Sequence, residues 1–243
     1  MQAFIAEVIP ETSVSFSNDI FMKIMFSGCD FKCPWCNTPE LLETKFEHEI
    51  DLRDVKKEME NNLGNINGIY LTGGEPCFQK QALLDLLSKA RELKLKTVLD
   101  TNGSKPQVIE SLLENSFIDI VIMDMKAPFN ERFDKVTKSA TFFKPTKDIM
   151  HDVSQTLQIL RAYDEKVEVI FRTTIIPGLM FRKEDLKMIA EEITDMNAVW
   201  ELKPFSASGV LKQMHHVDSP TDSFLENLKE YLKKEFPGLV IRS

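Results

Sequence analysis

The sequence predicts an α/β protein whose single domain is a partial (β/α)6 barrel of the TIM type. Short runs rich in apolar and β-branched residues alternate with longer amphipathic segments, which is typical of parallel strands joined by right-handed crossovers. Polar residues follow directly on four of these runs, as they do at the functional end of α/β barrels. The length of 243 residues suits one large domain of this class.

Six strands are predicted, too few for a complete barrel of eight. They cover 21–26, 68–71, 96–99, 119–123, 167–175 and 198–202, and a further short strand is expected over 239–241. Cys29 comes after the first strand, 72–75 after the second and 100–103 after the third, and Asp124 and Lys126 follow the fourth. Because the carboxyl ends of barrel strands carry the chemistry, these polar groups predict one functional rim.

Six helices are predicted from the spacing of apolar residues. They cover 52–62, 79–93, 106–115, 153–163, 183–194 and 221–235. In the second helix, Leu83, Leu84, Leu87 and Ala90 are expected to form one buried stripe. With no internal repeat and no long linker, the chain is expected to be one domain over 1–243, with its core at about 20–206 and a C-terminal helix and strand at about 221–243.

Composition and charge narrow the function classes. A net charge of −8 argues against a nucleic-acid surface, which usually carries a basic excess. The sequence contains no apolar stretch near the roughly 20 residues that span a bilayer, and its first ten residues lack the pattern of a signal peptide. We therefore expect no membrane contact and a cytoplasmic location, where cysteines act as metal ligands or free thiols rather than as disulfides.

The chemically most informative feature is the spacing C-x3-C-x2-C of Cys29, Cys33 and Cys36. A structural zinc site closes its shell with four ligands, whereas three thiolates on a four-iron cluster leave one iron open. We therefore expect a [4Fe–4S] cluster and an enzyme. The alternative is a non-catalytic zinc-binding module, although none of the four histidines has the usual spacing for one. Cys77, about forty residues away, is expected to be a free thiol.

A second motif, Thr-Gly-Gly-Glu-Pro over 72–76, follows directly on a predicted strand. Paired glycines such as Gly73 and Gly74 let a backbone approach a ligand closely, and the Glu75 carboxylate can accept hydrogen bonds from a cationic amine. Taken alone, the motif more often marks a tight strand-to-helix turn. Its position after the cysteine loop in a βα repeat favours a binding role.

These two motifs resemble those of radical S-adenosylmethionine (SAM) enzymes, and the resemblance covers about residues 20–206. It implies that three cysteines bind a [4Fe–4S] cluster whose open iron is chelated by SAM, and that reductive cleavage of SAM yields a 5′-deoxyadenosyl radical. It also implies that Trp35 and Asn37 lie against the adenosine. Gly73, Gly74 and Glu75 would then hold the SAM amino group.

Two aspartates, Asp100 and Asp124, end neighbouring predicted strands. Carboxylates so placed repel unless a cation, a lysine or a ligand lies between them, and Lys126 is close enough in sequence to pair with Asp124. The alternative is a purely structural Asp–Lys pair. The surrounding segments, which include Thr101 and Met125, resemble those of activating enzymes of glycyl radical enzymes. The resemblance implies SAM contacts there and a monovalent cation near Asp100 and Asp124.

The closest resemblance is to the activating proteins of anaerobic ribonucleotide reductase. It rests on the segments 72–76, 99–104, 123–128 and 171–178, and it implies a glycyl radical enzyme as partner and a flavodoxin- or ferredoxin-type reductant. Arg172 is then a candidate cation for SAM or the partner, with a salt bridge at the barrel rim as the alternative.

A different radical SAM reaction, on a small molecule, is also compatible with the sequence. The run from Trp35 to Thr38 resembles a segment of the 7-carboxy-7-deazaguanine synthases, in which an acid stands where this chain has Asn37. Activating enzymes usually have histidine at that position, and a late SAM-contacting histidine aligns near Ser206. The pair His215-His216 is expected in an exposed tail.

Overall fold

The computed structural model describes all 243 residues, which fold into two compact units. The first unit comprises 1–30, 40–101 and 105–121, and the second comprises 31–39, 102–104 and 122–243. None of the helices combines the length and the apolar character that a membrane crossing requires.

The first unit is an α/β arrangement in which the strands follow the order β3-β1-β2-β4-β5. Strand β1 is antiparallel to both β2 and β3, whereas β2, β4 and β5 run parallel to one another. The strands are β1 (Gln2–Val14), β2 (Ser17–Phe26), β3 (Glu49–Asp51), β4 (Gly68–Gly73) and β5 (Lys96–Thr101), and the helices are α1 (Leu52–Asn61), α2 (Lys80–Glu92) and α3 (Pro106–Glu114).

The second unit contains three neighbouring parallel strands, β7, β8 and β9. Strand β6 begins at the end of the first unit and enters the second at residue 122. The strands are β6 (Ile120–Asp124), β7 (Glu168–Ile175), β8 (Ala198–Pro204) and β9 (Val240–Arg242), and the helices are α4 (Arg132–Thr137), α5 (Thr146–Tyr163), α6 (Lys183–Ile193) and α7 (Asp222–Glu235).

All six predicted strands and the short final strand are present, with ends shifted by up to four residues. The N-terminal strand β1 was not predicted. Its pairing with β2 shifts register between Ile9 and Thr12, next to Pro10. Proline cannot donate to the ladder and is confined to edges and bulges, so this irregularity hid the strand from a pattern-based prediction. The three-residue β3 is too short to be recognised from its composition.

The helix predictions were wrong in three places. Helix α4 was missed because six residues give too few turns for a periodic pattern. Helix α5 begins at Thr146 rather than 153, since its first two turns are largely polar and bury only Ile149. In α2, the buried residues include Ala82 and Leu86, whereas Leu84 is half-exposed. The buried stripe is therefore rotated away from Leu84.

Candidate active site

The cysteine loop begins in the first unit, directly after β2. Gly28 adopts φ = +99°, and its N–H donates to the carbonyl of Leu41 at 2.8 Å. The N–H of Cys29 donates to the carbonyl of Leu42 at 3.1 Å. These two bonds fix the backbone that carries the half-buried thiol of Cys29, which forms no disulfide.

In the second unit, helix α4 supports the rest of the cysteine loop. The Lys32 N–H donates to the Thr137 carbonyl at 3.0 Å, and the Trp35 indole N–H donates to the Val136 carbonyl at 2.9 Å. The ring of Phe31 meets Phe133 edge-on, with 6.0 Å between centroids. Three contacts of different kinds therefore hold the loop against one short helix.

The thiols of this part of the loop differ in environment. Cys33 is buried and Cys36 is half-buried, and the Cys36 N–H donates to the Cys33 carbonyl at 3.1 Å. Burial raises the pKa of Cys33 to about 12, although the positive charge of Lys126 opposes the shift. A metal bound here would therefore have to displace a firmly held proton.

The donor set of the loop suits an iron–sulfur cluster. None of the three cysteines forms a disulfide, and thiolates are the usual ligands of such clusters. In the structure, no group of three His, Cys, Asp or Glu side chains surrounds one point as the shell of a single ion would. A four-iron cluster does not require its ligands to surround one point, because each thiolate binds a different iron.

The Gly-Gly-Glu segment of the first unit packs against the start of the cysteine loop. Gly73 has φ = +109°, and a Cβ there would lie 2.4 Å from the Phe26 carbonyl oxygen. A Cβ on Gly74 would lie 2.3 Å from the carbonyl oxygen of Gly28. The Glu75 N–H donates to that same carbonyl at 2.8 Å. Both glycines are therefore required for close approach of two backbone segments.

The Glu75 side chain is fully buried. Its Oε1 accepts hydrogen bonds from the Cys77 N–H at 3.0 Å and from the Thr101 hydroxyl at 2.8 Å. Cys77 is a buried free thiol, as expected from the sequence. Burial, followed by the negative charge of Glu75, raises the pKa of Cys77 well above its ordinary value. These contacts join three residues at the ends of β4 and β5.

Asp100 and its hydrogen-bond donors lie at the end of β5. The Tyr70 hydroxyl donates to its Oδ2 at 2.5 Å, and the Thr72 hydroxyl donates to the same oxygen at 3.2 Å. Both donors belong to β4, so register between the two strands determines this contact. The sequence did not single out Tyr70, because nothing in a single sequence shows which residue of the neighbouring strand will face an aspartate.

Asp124 forms the ion pair that the sequence offered as an alternative to a ligand site. The Lys126 ammonium lies 2.5 Å from its Oδ2 and 5.1 Å from the centroid of the Trp35 ring. Burial alone would raise the pKa of Asp124, but the charges of Lys126 and Arg172 outweigh it and lower the pKa below its ordinary value. Asp124 is therefore ionised at neutral pH.

Arg172 is also engaged in a salt bridge. Its Nε donates to Glu201 Oε2 at 2.9 Å, and a terminal nitrogen lies 4.0 Å from Asp124 Oδ1. The backbone of β7 and the segment after β6 are joined beside it, because the Met125 N–H donates to the Arg172 carbonyl at 2.8 Å. Glu201 faces Arg172 across the β7–β8 pair. Glu201 could not be predicted from the sequence, since the strand register that places it opposite Arg172 is visible only in the fold.

Asn37 contacts the segment that follows β8. Its side-chain amide donates to the carbonyl of Ser208 at 3.2 Å and approaches that of Ser206 at 3.4 Å. Both His215 and His216 are exposed, as expected, and His215 Nε2 lies 3.0 Å from the Val210 carbonyl oxygen. The side-chain amide of Asn37 therefore joins the end of the cysteine loop to the loop after β8.

Comparison with known proteins adds a family and several relatives. The radical SAM superfamily profile matches residues 23–193. A Methanocaldococcus jannaschii protein, provisionally named a glycyl-radical enzyme activating enzyme, is 27% identical over all of this chain and 97% of its own length. The pyruvate formate-lyase-activating enzyme of Clostridium pasteurianum is 22% identical over 87% of this chain and 89% of that protein. A 7-carboxy-7-deazaguanine synthase of Thermococcus kodakarensis is 29% identical over 43% and 50%.

Solved structures support the predicted fold class. A radical SAM methyltransferase from Sphaerobacter thermophilus superposes with a TM-score of 0.68 over 99% of this chain and 76% of that chain, at 12% identity. At this identity the match concerns the fold alone. Together with the strand–helix order and the mainly parallel pairing, it confirms the predicted α/β fold of the partial-barrel type.

Proposed function

Because the chain belongs to the radical SAM superfamily and is therefore an enzyme that uses a [4Fe–4S] cluster and SAM, we propose that it activates a glycyl radical enzyme by removing a hydrogen atom from a backbone glycine. The candidate partner is an anaerobic ribonucleotide reductase. The observation that carries the SAM-binding part of the proposal is the backbone hydrogen bond from the Glu75 N–H to the Gly28 carbonyl, which joins the Gly-Gly-Glu segment to the cysteine loop. Relatives named as activating enzymes, aligned over 87% or more of this chain, support a glycyl radical enzyme as the class of partner, whereas the choice of a ribonucleotide reductase rests on the sequence segments 72–76, 99–104, 123–128 and 171–178.

In this proposal, Cys29, Cys33 and Cys36 hold the cluster. When bound, the cluster supplies the single electron that splits the sulfur–C5′ bond of SAM into methionine and a 5′-deoxyadenosyl radical. Trp35, anchored to helix α4 by its indole N–H, covers the loop and limits access of water. Asn37, bound to the loop after β8, supports the adenosine side of the site.

In this proposal, charged residues bind the amino group and the carboxylate of the methionine part of SAM. The buried carboxylate of Glu75, with the backbone at Gly73 and Gly74, accepts the amino group. The Asp124–Lys126 pair and Arg172 offer cations for the SAM carboxylate. Asp100, Thr101 and Met125 complete the set of SAM contacts that we propose, and the resemblance to activating enzymes leads us to propose a monovalent cation near Asp100 and Asp124 as well. We place the activity in the cytoplasm, where free thiols stay reduced.

The test is an anaerobic activation assay with a candidate anaerobic ribonucleotide reductase. The reconstituted, reduced enzyme is mixed with SAM and the reductase, and electron paramagnetic resonance is recorded. We expect a glycyl radical signal that disappears when the radical-bearing glycine of the reductase is replaced by alanine. SAM cleavage without any such signal, across the glycyl radical enzymes of the source organism, would contradict the proposed partner.

A small-molecule reaction of the 7-carboxy-7-deazaguanine synthase type is the second candidate, favoured by the partial match to that enzyme. Against it, the Asn37 amide donates to backbone carbonyls, as a neutral amide can and a carboxylate cannot. Turnover of 6-carboxytetrahydropterin in the absence of any protein partner would favour this candidate over glycyl radical activation.

A further inference from the structure

Two adjacent phenylalanines are almost fully exposed on the second unit. Phe142 is 95% exposed and Phe143 is 92% exposed, with their rings edge-to-face at 5.2 Å between centroids. They form the tip of a turn closed from both sides: the Thr141 N–H donates to the Lys144 carbonyl at 2.9 Å, and the Lys144 N–H donates to the Thr141 hydroxyl at 3.0 Å. We refer to residues 141–144 as the aromatic turn.

Exposing two aromatic rings at a fixed turn is unfavourable unless something covers them. Each phenylalanine can bury about 150–250 Å² of surface, and aromatic residues are enriched at the centres of protein interfaces. Isolated exposed apolar residues are common on protein surfaces. Here two neighbouring rings project from a turn whose first and last residues, Thr141 and Lys144, are joined by two hydrogen bonds. This defined apolar projection indicates a docking element.

The aromatic turn lies in a lysine-rich segment of an acidic protein. Residues 135–147 contain four lysines and no acidic residue, with Asp134 and Asp148 directly flanking this segment, in a chain of net charge −8. Lys144 is paired with Asp152, and Lys135 lies 4.0 Å from Glu131. Lys138 and Lys147 are exposed and take part in no ion pair. A partner with an acidic rim around an apolar centre complements this surface.

The aromatic turn follows closely on the helix that supports the cysteine loop. Helix α4 ends at Thr137, whose carbonyl accepts from Lys32, and the preceding carbonyl of Val136 accepts from the Trp35 indole. The Thr137 hydroxyl lies 2.8 Å from that of Ser139, which fixes the chain as it leaves the helix. Only a few residues therefore separate the aromatic turn from the backbone carbonyls that bind Lys32 and Trp35, which are the sequence neighbours of Cys33 and Cys36.

We propose that the aromatic turn and its lysines are the docking site for an acidic one-electron donor protein that reduces the cluster. The inference rests on the radical SAM part of the proposed function and does not depend on the glycyl radical partner. One electron passes from the reduced donor to the cluster, so the donor is oxidised by one electron and no bond changes. Electron-transfer complexes use interfaces below about 1,200 Å². Two exposed rings and a few lysines can form a substantial part of an interface of that size.

The experiment compares two reductants in SAM cleavage without any partner protein. Reduced, acidic flavodoxin is the protein probe, and dithionite is the small-molecule control. The variant Phe142→Ser/Phe143→Ser removes the apolar tip, and Lys138→Glu/Lys147→Glu reverses the unpaired charges while keeping both rings. Matched controls are Phe46→Ser, at a residue 88% exposed elsewhere, and Lys57→Glu/Lys234→Glu on exposed helix faces.

We expect both docking variants to lower the flavodoxin-driven rate of 5′-deoxyadenosine formation about tenfold at subsaturating flavodoxin, as loss of an interface hot spot does. Their dithionite-driven rates should equal those of the unchanged enzyme and of the controls. For the unchanged enzyme, added salt should slow only the flavodoxin-driven rate. Equal flavodoxin-driven rates in docking and control variants would overturn the proposal. So would a parallel fall in the dithionite-driven rate, which would indicate a structural role.

A third outcome separates this proposal from docking of the glycyl radical enzyme. If flavodoxin-driven SAM cleavage is unchanged but radical transfer to a reductase falls, the aromatic turn binds the reductase and the donor proposal is wrong. Conversely, loss of donor coupling in a protein that activates no glycyl radical enzyme would support the docking site while contradicting the proposed partner.

Discussion

Individual residues in the candidate site are held by neighbours that the sequence does not reveal. The Gly-Gly-Glu motif predicts Glu75 as an amine ligand, and the structure shows it fully buried and accepting hydrogen bonds from Cys77 and Thr101. The sequence predicts Arg172 as a ligand cation, and in the structure it is salt-bridged to Glu201. The motifs predict the types of the site residues. Their hydrogen-bond and ion-pair partners depend on strand register and could not be predicted.

Glu75→Gln tests whether the carboxylate charge matters for SAM. The substitution keeps an acceptor oxygen for the Cys77 and Thr101 donors but removes the negative charge that would attract an amine. We expect the KM for SAM to rise at least about tenfold, the effect of about 1.4 kcal/mol. The iron content should be unchanged. An unchanged KM in initial-rate measurements of SAM cleavage would remove Glu75 from the binding site.

The lowered pKa of Asp124 predicts a pH-dependent contribution to stability. Its folded-state pKa lies below the ordinary value of 3.8, so the ion pair with Lys126 stabilises the protein above that value. This stabilisation is lost as pH falls through the folded-state pKa. We expect the difference in unfolding free energy between the wild type and Asp124→Asn to be constant near neutral pH and to shrink below about pH 4.

Urea unfolding at a series of pH values measures this difference. Asp218→Asn is the matched control, because Asp218 is exposed and takes part in no ion pair. Its effect should stay within about 0.5 kcal/mol throughout. If the difference in unfolding free energy between the wild type and Asp124→Asn does not shrink at acid pH, the negative charge of Asp124 does not contribute to stability.

At the scale of elements, strong patterns were predictable and irregular ones were not. The parallel strands β2, β4, β5, β7 and β8 were all expected, because buried apolar runs followed by polar residues leave few alternatives. Strand β1 was missed because Pro10 interrupts its pattern at a register shift. Helix α4 was missed because it is short, although it supports the cysteine loop. The cysteine loop is thus supported by an element with almost no sequence signal.

Gly73 provides a test of the close approach between the Gly-Gly-Glu segment and the end of β2. Gly73→Ala places a methyl group 2.4 Å from the Phe26 carbonyl oxygen at a positive φ, so strain and steric overlap add together. We expect a loss of at least about 2 kcal/mol of unfolding free energy. Gly64→Ala separates the two effects, because Gly64 also has positive φ but nothing lies within 4 Å of the position that a Cβ would take there.

Chemical denaturation of both glycine variants gives the comparison. Gly64→Ala should lose only about 1 kcal/mol, the cost of the left-handed conformation for a residue with a Cβ. If the two variants lose the same amount, the close approach of the two backbones contributes nothing beyond conformational strain, and the contact has been overestimated.

At the scale of the whole molecule, the fold class followed from the alternation of strands and helices, and the family match covers most of the chain. The single-domain organisation stays a prediction. The three cysteines and the Gly-Gly-Glu segment were readable because their spacing is specific, and they come from both compact units of the chain. The partner was less predictable, because recognition of another protein depends on surface shape and charge rather than on a motif.

The central claim is that three cysteines, and not Cys77, hold a four-iron cluster with one iron open to SAM. The most direct measurement is iron and sulfide content with SAM cleavage, after anaerobic reconstitution of Cys77→Ala and Cys33→Ala. We predict about four irons per chain and 5′-deoxyadenosine formation for Cys77→Ala, with loss of that product for Cys33→Ala. One zinc without sulfide in the unchanged protein, or full SAM cleavage by Cys33→Ala, would contradict the claim.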